Sequence, residues 1–273
     1  MLAYPVSDKL IDYTDLVFVQ PKLDGVRCLI QYDAGHVVAY SRTGKVWKNI
    51  DHILFNLLPF FQLNPDVVLD GELYNHDFKD NFEQIISMVR KTKPTDEARA
   101  ESAENVQFHC YDIVDTTKTF KERNNFILQN VPRNHCIYHV DTTQIHSQEV
   151  AKSHHDINLS LGYEGSIIRT NDVYKCGRSW NLRKFKDFHD TEALILDWVE
   201  GLGKRKGTIG KFMAQDVDGN VFGMPVMDKF KYLQDNFEEM KTWVGKFATF
   251  TYFERTKAGS YRHPLFKCIR DYE

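Results

Sequence analysis

Two apolar runs with strand character, residues 16–21 and 27–32, flank the segment Lys22-Leu23-Asp24-Gly25. Asp-Gly is a favoured turn pair, so the segment predicts a tight connection between two strands. A lysine at such a strand end can point into a cleft between sheets, where desolvation and nearby cations favour its neutral, nucleophilic amine. Arg27, just beyond the turn, is placed to bind a phosphate through its planar guanidinium. The segment therefore predicts a β-rich fold with Lys22 as a candidate nucleophile.

Short β-runs separated by helices continue through the first 190 residues. Asp33-Ala34-Gly35 is a hairpin signal that precedes a strand over 36–40. The patterns of apolar residues predict further strands over 66–74, 106–114, 137–140, 165–169 and 182–188, and helices over 50–61, 81–90 and 119–130. Residues 91–105 are polar and lack an apolar period, so we expect a surface loop there.

The pattern changes after residue 190. Five short β-runs follow, over 192–200, 209–216, 221–225, 247–253 and 265–270. One helix-like segment, 228–243, lies between the third and the fourth run. This is the element order of an OB-fold, a small β-barrel that often binds nucleic acid. The sequence thus predicts two domains, residues 1–189 and 190–273.

The charge balance excludes a protein with a strong overall basic field. The 35 Lys and Arg stand against 38 Asp and Glu, a net charge of −3. Residues 191–273 carry a net charge of +1 and the preceding residues one of −4. A polyanionic partner must therefore be held by local clusters of basic residues. Such clusters lie at residues 175–186 and 204–206.

The cysteines and the N-terminal segment bear on the compartment. The five cysteines are an odd number, scattered and without a CxxC pair, which is typical of free thiols in a reducing compartment. The first residues lack the basic patch and apolar stretch of a secretory signal, and no apolar run approaches the roughly 20 residues that span a bilayer. We therefore expect an intracellular protein, cytoplasmic or nucleoid-associated, that is neither secreted nor bound to a membrane.

Further motifs follow the Lys22 segment in a fixed order. They are Ser41-Arg42, Asp70-Gly71-Glu72, Tyr111-Asp112, Glu164-Gly165-Ser166-Ile167-Ile168-Arg169, Lys184-Phe185-Lys186 and Arg262-His263-Pro264-Leu265-Phe266 with Arg270. With this series the chain resembles the ATP-dependent DNA ligases of the covalent nucleotidyltransferase superfamily, and most of all the small virus-type ligases. The resemblance covers nearly the whole chain and all six collinear motifs. It implies an α+β fold, in which an ATP-grasp-like nucleotidyltransferase domain of antiparallel sheets flanked by helices precedes an all-β OB domain.

The resemblance also implies roles for residues around the nucleotide. Lys22 matches the lysine that attacks the α-phosphorus of ATP and becomes lysyl-AMP. Gln20 matches the position that reads the adenine edge, and Tyr111 matches the aromatic residue that stacks on adenine. Glu72 matches the carboxylate at the ribose hydroxyls, with Asp70 as the other candidate.

Phosphate and metal ligands are implied in the same way. The cations at the nucleotide phosphates and the pyrophosphate leaving group are Lys184, Lys186, Arg178, Arg262 and Arg270. Arg27 and Arg42 match the arginines that hold ribose or phosphate and, in the nick complex, the 5′-phosphate. Glu164, together with Glu72, matches the carboxylates that bind Mg²⁺ or Mn²⁺, which prefer hard oxygen ligands.

The implied partner is nicked duplex DNA, which a monomer of this protein would bind mainly through the backbone phosphates. Whether an accessory clamp protein assists is left open. Lys204, Arg205 and Lys206 are the predicted DNA-backbone contacts of the OB domain. Two features depart from the family pattern: Arg169 stands where many members have lysine, and the segment 193–211 leaves no room for a long DNA-clasping insertion. A hinge near residues 187–191 is expected to move the OB domain between steps.

Two other classes remain open at this point. An RNA ligase or a capping guanylyltransferase uses the same lysine chemistry, although the segment from Arg262 to Arg270 resembles ligases and argues against capping. A non-catalytic OB-fold nucleic-acid-binding protein is the second alternative. It leaves Lys22, Glu72 and the lysine pair at 184 and 186 unexplained, and transfer of AMP to the protein would exclude it.

Overall fold

The chain is divided into two compact units, Met1–Phe185 and Lys186–Glu273. A computed structural model describes residues 1–6, 10–79, 81–255 and 259–270. Over these ranges there are seventeen strands and seven α-helices. The division falls between Phe185 and Lys186, whereas the sequence predicts it after residue 189.

Ten strands and five α-helices of the described residues belong to the first unit. They are β1 (Leu2–Pro5), β2 (Val17–Lys22), β3 (Val26–Asp33), β4 (His36–Ser41), α1 (Asp51–Leu63), β5 (Val68–Tyr74), α2 (Phe82–Val89), α3 (Asp96–Asn105), β6 (Gln107–Ile113), α4 (Phe120–Asn130), β7 (Ile137–His139), β8 (Thr143–Ile145), α5 (Gln148–Ser160), β9 (Gly165–Thr170) and β10 (Arg178–Phe185). A short 3₁₀ helix, His76–Phe78, follows β5.

The strands of this unit form two five-stranded sheets. The first has the order β1-β10-β9-β2-β8 and the second the order β4-β3-β5-β6-β7. Most neighbours are antiparallel; β1 with β10 and β6 with β7 are parallel. Since β2 belongs to the first sheet and β3 to the second, residues 23–25 carry the chain from one sheet to the other. Lys22 therefore lies where the two sheets meet.

Local sequence signals explain several of these elements. Ala34 and Gly35 both have positive φ, 46° and 88°, as a two-residue hairpin turn between β3 and β4 requires. The Thr119 hydroxyl accepts a hydrogen bond from the Glu122 N–H, and the Glu122 side chain bonds back to Thr119, so a capping box begins α4. Ser147 caps α5 in the same manner by accepting from the Val150 N–H.

Each sheet has its own core. The larger core lies against the second sheet and includes α1 and α2, with Phe61, Leu69 and Phe108 fully buried. A smaller core lies against the first sheet and α5, where Val17 and Ile145 are fully buried. Polar side chains are buried in this unit as well, among them Gln20, Asp112 and Arg169.

The predicted loop over 91–105 is wrong, because residues 96–105 form α3. Thr95 caps this helix by accepting from the Ala98 N–H, and Asp96 and Glu97 stand in its first turn, where they complement the helix dipole. Only the small residues Ala98 and Ser102 are buried on it. A helix that packs through small side chains has no apolar period, so the periodicity test misses it.

The second unit contains the predicted OB-fold order. Its elements are β11 (His189–Glu200), β12 (Ile209–Gln215), β13 (Val221–Pro225), α6 (Phe230–Asp235), α7 (Phe237–Lys241), β14 (Phe247–Tyr252), β15 (Glu254–Arg255), β16 (Tyr261–Arg262) and β17 (Leu265–Ile269). The sheet order is β13-β12-β11-β14-β17, with β15 and β16 as a separate hairpin. The predicted single helix over 228–243 is two short helices, since Asn236 between them has a non-helical φ of −104° and ψ of 11°. None of the described helices is both long and apolar enough to cross a bilayer.

Candidate functional site

Lys22 lies at the crossing between the two sheets of the first unit. It is the last residue of β2 and is paired in register with Gly165 of β9. Its ammonium group pairs with the Glu164 carboxylate, and the Glu164 N–H donates to the Lys22 carbonyl at 3.1 Å. The Lys22 side chain is 21% exposed, whereas the Glu164 side chain is only 4% exposed. A buried carboxylate therefore holds a solvent-reachable amine.

A cleft opens beside this amine. Its lining comes from both sheets and consists of Met1, Gln20, Pro21, Lys22, Leu23, Asp70, Glu72, Tyr111, Ile167, Arg169 and Leu182. Gln20 and Lys22 are two residues apart in β2, so their side chains lie on one face of the strand. Five of the predicted site residues, from three separate stretches of the chain, thus line one cleft: Gln20, Lys22, Asp70, Glu72 and Tyr111.

Two glycines let neighbouring segments of the second sheet approach each other here. A Cβ atom on Gly25 would lie 2.4 Å from the Leu73 carbonyl oxygen. A Cβ atom on Gly71 would lie 2.4 Å from the Phe108 ring and 2.6 Å from the His109 carbonyl oxygen. These distances are far inside van der Waals contact, so each position requires glycine. The glycines of the Lys22 and Asp70 motifs therefore serve the packing of the cleft walls.

Asp70 is bound by Arg27 in a bidentate ion pair. Arg27 Nε and Nη2 each donate to the Asp70 carboxylate at 2.9 Å. The Tyr174 hydroxyl donates to the same carboxylate at 2.8 Å and accepts from Arg27 Nη2 at 2.9 Å. Asp70 is buried, so this pair fixes the Arg27 guanidinium firmly. Asp70 thereby positions an arginine at the edge of the cleft.

Glu72 is the other carboxylate of this strand in the cleft, two residues from Asp70 on β5. Desolvation raises the pKa of Glu72 to about 8; Lys22 lowers this pKa by attraction and Asp70 raises it by repulsion. A carboxyl group whose pKa is raised in this way is protonated at neutral pH in the nucleotide-free protein. It can then donate a hydrogen bond to a hydroxyl group in the cleft.

Glu72→Gln is expected to change how stability depends on pH. The folded protein holds the Glu72 proton up to about pH 8, whereas the unfolded chain loses it near the ordinary value of 4.5. As the pH rises from 4.5 to 8, the free energy of unfolding of the wild type should therefore decrease relative to that of the variant. The steepest decrease should be about 1 kcal/mol per pH unit. Urea unfolding at pH 5, 6, 7 and 8 measures this difference. Glu104→Gln, at an exposed position of α3, is the matched control, and parallel pH profiles for wild type and Glu72→Gln would contradict the shift.

Gln20 is held by a buried network of charged residues. Arg169 Nε donates to Gln20 Oε1 at 2.6 Å, and Arg169 Nη1 donates to Asp112 at 2.7 Å. Arg123 Nε donates to the other oxygen of Asp112 at 2.6 Å. Gln20 Nε2 donates to the Thr142 hydroxyl at 2.8 Å. The Asp112 carboxylate, which is fully buried, is thus bound by two arginines and links the second sheet to the first.

Tyr111 stands next to this network on β6. The guanidinium carbon of Arg169 lies 5.4 Å from the centre of the Tyr111 ring, a cation–π distance. Desolvation raises the pKa of Tyr111 well above its ordinary value, so the phenol stays neutral. Ile167 and Leu182 of the first sheet supply apolar surface to the same cleft. The cleft can thus hold a flat, apolar-faced ring with a polar edge toward Gln20.

A second and larger cleft adjoins the other side of the Lys22 loop. Its lining includes Glu72, which also lines the first cleft, and the basic residues Arg27, Arg42, Lys45, Arg90 and Lys91. Lys91 is 3.1 Å from Glu101 in an exposed ion pair, and Arg90 is exposed at the end of α2. Such a concentration of cations fits a phosphate chain rather than an apolar ligand.

Comparison with known proteins identifies the family of this chain. The family model described as the ATP dependent DNA ligase domain matches residues 1–186. The chain belongs to the ATP-dependent DNA ligase domain family. The resemblance that the sequence motifs indicate is therefore confirmed.

Relatives of this ligase domain include a curated DNA ligase of Halobacterium salinarum, 24% identical over 238 residues. The match covers 80% of this chain and 41% of that ligase, so the chain spans about two fifths of the relative's length. A solved Lig E DNA ligase, 24% identical, matches 98% of both chains with a TM-score of 0.79. The Chlorella virus DNA ligase-adenylate, also 24% identical, matches 98% of both chains with a TM-score of 0.52. These likenesses confirm the nucleotidyltransferase and OB folds.

Three predicted phosphate ligands of the ligase domain lie outside the lining of the first cleft. Lys184 is paired in register with Ile167, so its side chain is on the face of the first sheet that lines the cleft. Arg178 is exposed; its guanidinium lies 5.3 Å from the Tyr4 ring centre, and its Nη1 donates to the Ala3 carbonyl. Lys186 begins the second unit, where its ammonium lies 4.3 Å from the Phe253 ring centre. Their predicted roles stay predictions.

The remaining predicted cations belong to the second unit. Arg262 pairs with Glu254, and Arg270 Nε lies 2.8 Å from Glu192. The segment between β11 and β12 is short, as expected, and contains a 3₁₀ helix over Gly203–Arg205. Arg205 donates to the Val226 carbonyl at 2.9 Å, which ties it to its own unit, whereas Lys204 and Lys206 are exposed.

The carboxylates fit a divalent cation only if a phosphate supplies further ligands. No group of three or more His, Cys, Asp or Glu side chains within the described ranges forms a metal site. Mg²⁺ commonly binds one or two carboxylates together with substrate phosphates and water. Glu164 and Glu72 both interact with the Lys22 ammonium, so the two lie at one place. They match this mode of binding and would neutralise phosphate charge with the cation.

Sequence reasoning missed several residues in and around the two clefts. Thr142, Arg123 and Tyr174 carry no motif, and their side chains bond to cleft residues or to the buried network only through the tertiary fold. Lys45, Arg90 and Lys91 have the sequence context of ordinary surface residues. A weak signal was available for Arg90 and Lys91, since two cations follow the apolar helix 82–89 directly.

Proposed function

We propose that this protein is an ATP-dependent DNA ligase, which seals nicks between a 3′-hydroxyl and a 5′-phosphate in duplex DNA. The observation that carries the proposal is the placement of Lys22. Its amine stands at the crossing of the two sheets, beside a cleft that contains Gln20, Tyr111 and Glu72. A nucleophile, a base-reading amide, an aromatic ring and a carboxylate are the groups needed to hold and attack a nucleotide.

In the first step Lys22 Nζ attacks the α-phosphorus of ATP. A nitrogen–phosphorus bond forms, the bond to the β-phosphate oxygen breaks, and pyrophosphate leaves. The amine must lose its proton, and Glu164, which touches it, is placed to accept that proton. Glu164, together with Glu72 once Glu72 has lost its proton, would hold Mg²⁺, which would offset the negative charge of the phosphates.

The other residues of the cleft orient the nucleotide. Tyr111 stacks on the adenine ring and Gln20 reads its polar edge. Glu72 binds the ribose hydroxyls, since the Asp70 carboxylate is already bound by Arg27 and Tyr174. Lys184 and Lys186 bind the α-phosphate, and Arg178 is a further phosphate ligand. Arg262 and Arg270 orient the pyrophosphate. A hinge near residues 187–191 then moves these two arginines away. Catalysis of phosphoryl transfer rests mainly on such positioning and charge.

The second and third steps use the DNA. The 5′-phosphate of the nick attacks lysyl-AMP and takes the AMP group, after which the 3′-hydroxyl attacks that phosphate and releases AMP. Arg42 and Arg27, at the second cleft, bind the 5′-phosphate. Lys204 and Lys206 contact the backbone from the OB domain, whereas Arg205 is held by Val226.

Replacing Lys45, Arg90 and Lys91 together by alanine is expected to weaken binding of nicked duplex about tenfold at moderate salt. The logarithm of affinity should also depend less steeply on the logarithm of salt concentration, by about 0.9 for each phosphate that the variant no longer neutralises. Fluorescence anisotropy with labelled nicked duplex over a salt series measures both quantities. Alanine at Lys118, Lys121 and Arg133, which removes the same charge but lines neither cleft, is the control. Equal salt slopes for the two triple variants would exclude the second cleft as a DNA site.

The function is tested with nucleotides labelled in the α-phosphate. ATP should leave label on the protein after denaturation in detergent at alkaline pH, and GTP should do so far more slowly. Added nicked duplex should then release the label and yield a sealed strand. Faster labelling from GTP than from ATP would favour a capping enzyme, sealing confined to RNA strands would favour an RNA ligase, and no label from either nucleotide would favour a non-catalytic OB-fold protein.

We also propose that the enzyme acts as a monomer inside the cell. The residues of the first cleft all come from the first unit of one chain, so no second copy is needed to complete it. The five cysteines are unpaired, which is usual where thiols stay reduced and ATP is available.

A further inference from the structure

We propose that Arg169 determines which purine nucleotide the enzyme accepts, because it holds the Gln20 amide in one orientation. This inference rests on the proposed function and deepens it. Arg169 is thus a positioning residue for the base, at a place where the family often has a lysine.

The contacts of Gln20 leave its amide no freedom. Its Oε1 accepts from Arg169 Nε at 2.6 Å, and its Nε2 donates to Thr142 at 2.8 Å. Nε2 also lies 3.5 Å from the Tyr111 carbonyl oxygen, which can only accept. Turning the amide over would place an N–H group against the Arg169 donor and an oxygen against that carbonyl. The side chain is therefore locked with Oε1 toward Arg169.

Arg169 is itself fixed by the second sheet. Its Nη1 donates to Asp112, which is fully buried and also accepts from Arg123. One guanidinium can reach Gln20 and Asp112 together because its donors form a rigid planar fork. A lysine ammonium is a point charge on a flexible stem, and it does not reproduce these two directed contacts.

The locked amide has consequences for the base. Oε1 has a second lone pair, and both Gln20 and Arg169 line the cleft that contains Tyr111. An acceptor at this place attracts the amino group of adenine and repels the carbonyl oxygen that guanine carries at the same ring position. Rotation of the amide would reverse that preference. Selection of ATP over GTP therefore depends on Arg169, although Arg169 need not touch the base.

Arg169→Lys tests this inference, with Arg123→Lys as its matched control. Both variants weaken the same buried cluster on Asp112, but only Arg169 contacts Gln20. The measurement is kcat/KM for transfer of labelled AMP from ATP and of labelled GMP from GTP to the protein. Because a loss of folded enzyme lowers both kcat/KM values equally, it does not change the ratio of the value for ATP to the value for GTP.

We expect the ATP:GTP ratio to fall at least about tenfold in Arg169→Lys, mainly through KM, and to stay at the wild-type value in Arg123→Lys. Thr142→Val, which removes the other partner of the amide, should lower the ratio in the same direction. If Arg169→Lys and Thr142→Val both keep the wild-type ratio, or if Arg123→Lys lowers it equally, the inference is overturned while the ligase function stands. If wild-type protein takes no AMP from ATP, the proposed function fails instead.

Discussion

Arginine in place of Lys22 abolishes transfer of AMP to the protein, with a loss of at least about 10³-fold, since the reaction loses its nucleophile. The variant keeps a positive charge opposite Glu164, but a guanidinium stays protonated and does not attack phosphorus. Label from α-labelled ATP that stays on the protein after denaturation in detergent at alkaline pH measures the reaction rate. The intact mass of the wild-type protein should rise by one AMP group, and digestion should locate that group on Lys22.

Lys121→Arg, an exposed residue at the start of α4, is the control for this experiment and should keep the wild-type rate. Thermal unfolding of both variants shows whether Lys22→Arg remains folded. An adduct of wild-type yield in Lys22→Arg would mean that another side chain carries the nucleotide. The placement of Lys22 in the cleft would then have no catalytic meaning.

Alanine in place of Asp112 is expected to destabilise the protein severely. The substitution removes the carboxylate that two buried arginines, Arg123 and Arg169, share. Breaking a buried pair by removing one partner leaves uncompensated charge and costs about 3–5 kcal/mol in the free energy of unfolding. Here two cations lose the same partner, so we expect the upper part of that range. Urea unfolding monitored by circular dichroism and by tryptophan fluorescence measures the change.

Asp156→Ala is the matched control, because Asp156 forms an exposed i, i+4 ion pair with Lys152 on α5. Exposed pairs of this kind contribute less than about 1 kcal/mol. A destabilisation below about 1 kcal/mol for Asp112→Ala as well would show that the buried arginines find other partners. In that case the network would not be the tie between the two sheets.

Several parts of the fold could be predicted because their causes are local. The turn at Ala34-Gly35, the capping box at Thr119 and the apolar run of β2 each depend on neighbouring residues. The order of strands and helices in the second unit is also visible in the sequence, which is why the OB-fold prediction is confirmed. The error at residues 96–105 has a local cause too, since the cap at Thr95 was present but the apolar period was not.

The site was predicted less completely. The motifs identify Lys22, Gln20, Glu72 and Tyr111 as residues of one place, and the structure brings them into one cleft. The same motifs leave Asp70 and Glu72 as alternative candidates for one task. The structure distinguishes the two, because Arg27 and Tyr174 bind Asp70. The Arg27 contact depends on how β3 and β5 pair.

The amino-acid sequence alone determined the family, the element order and the chemistry of the nucleophile, because short-range periodicity and motif order require no knowledge of contacts. The tertiary structure decided which groups meet. Arg169 contacts a glutamine on β2 and an aspartate of the other sheet, and Arg90 joins Arg42 in a second cleft, only because strand register and sheet packing place them there. Such contacts join residues far apart in the chain, and their energies depend on burial and geometry that no local pattern encodes.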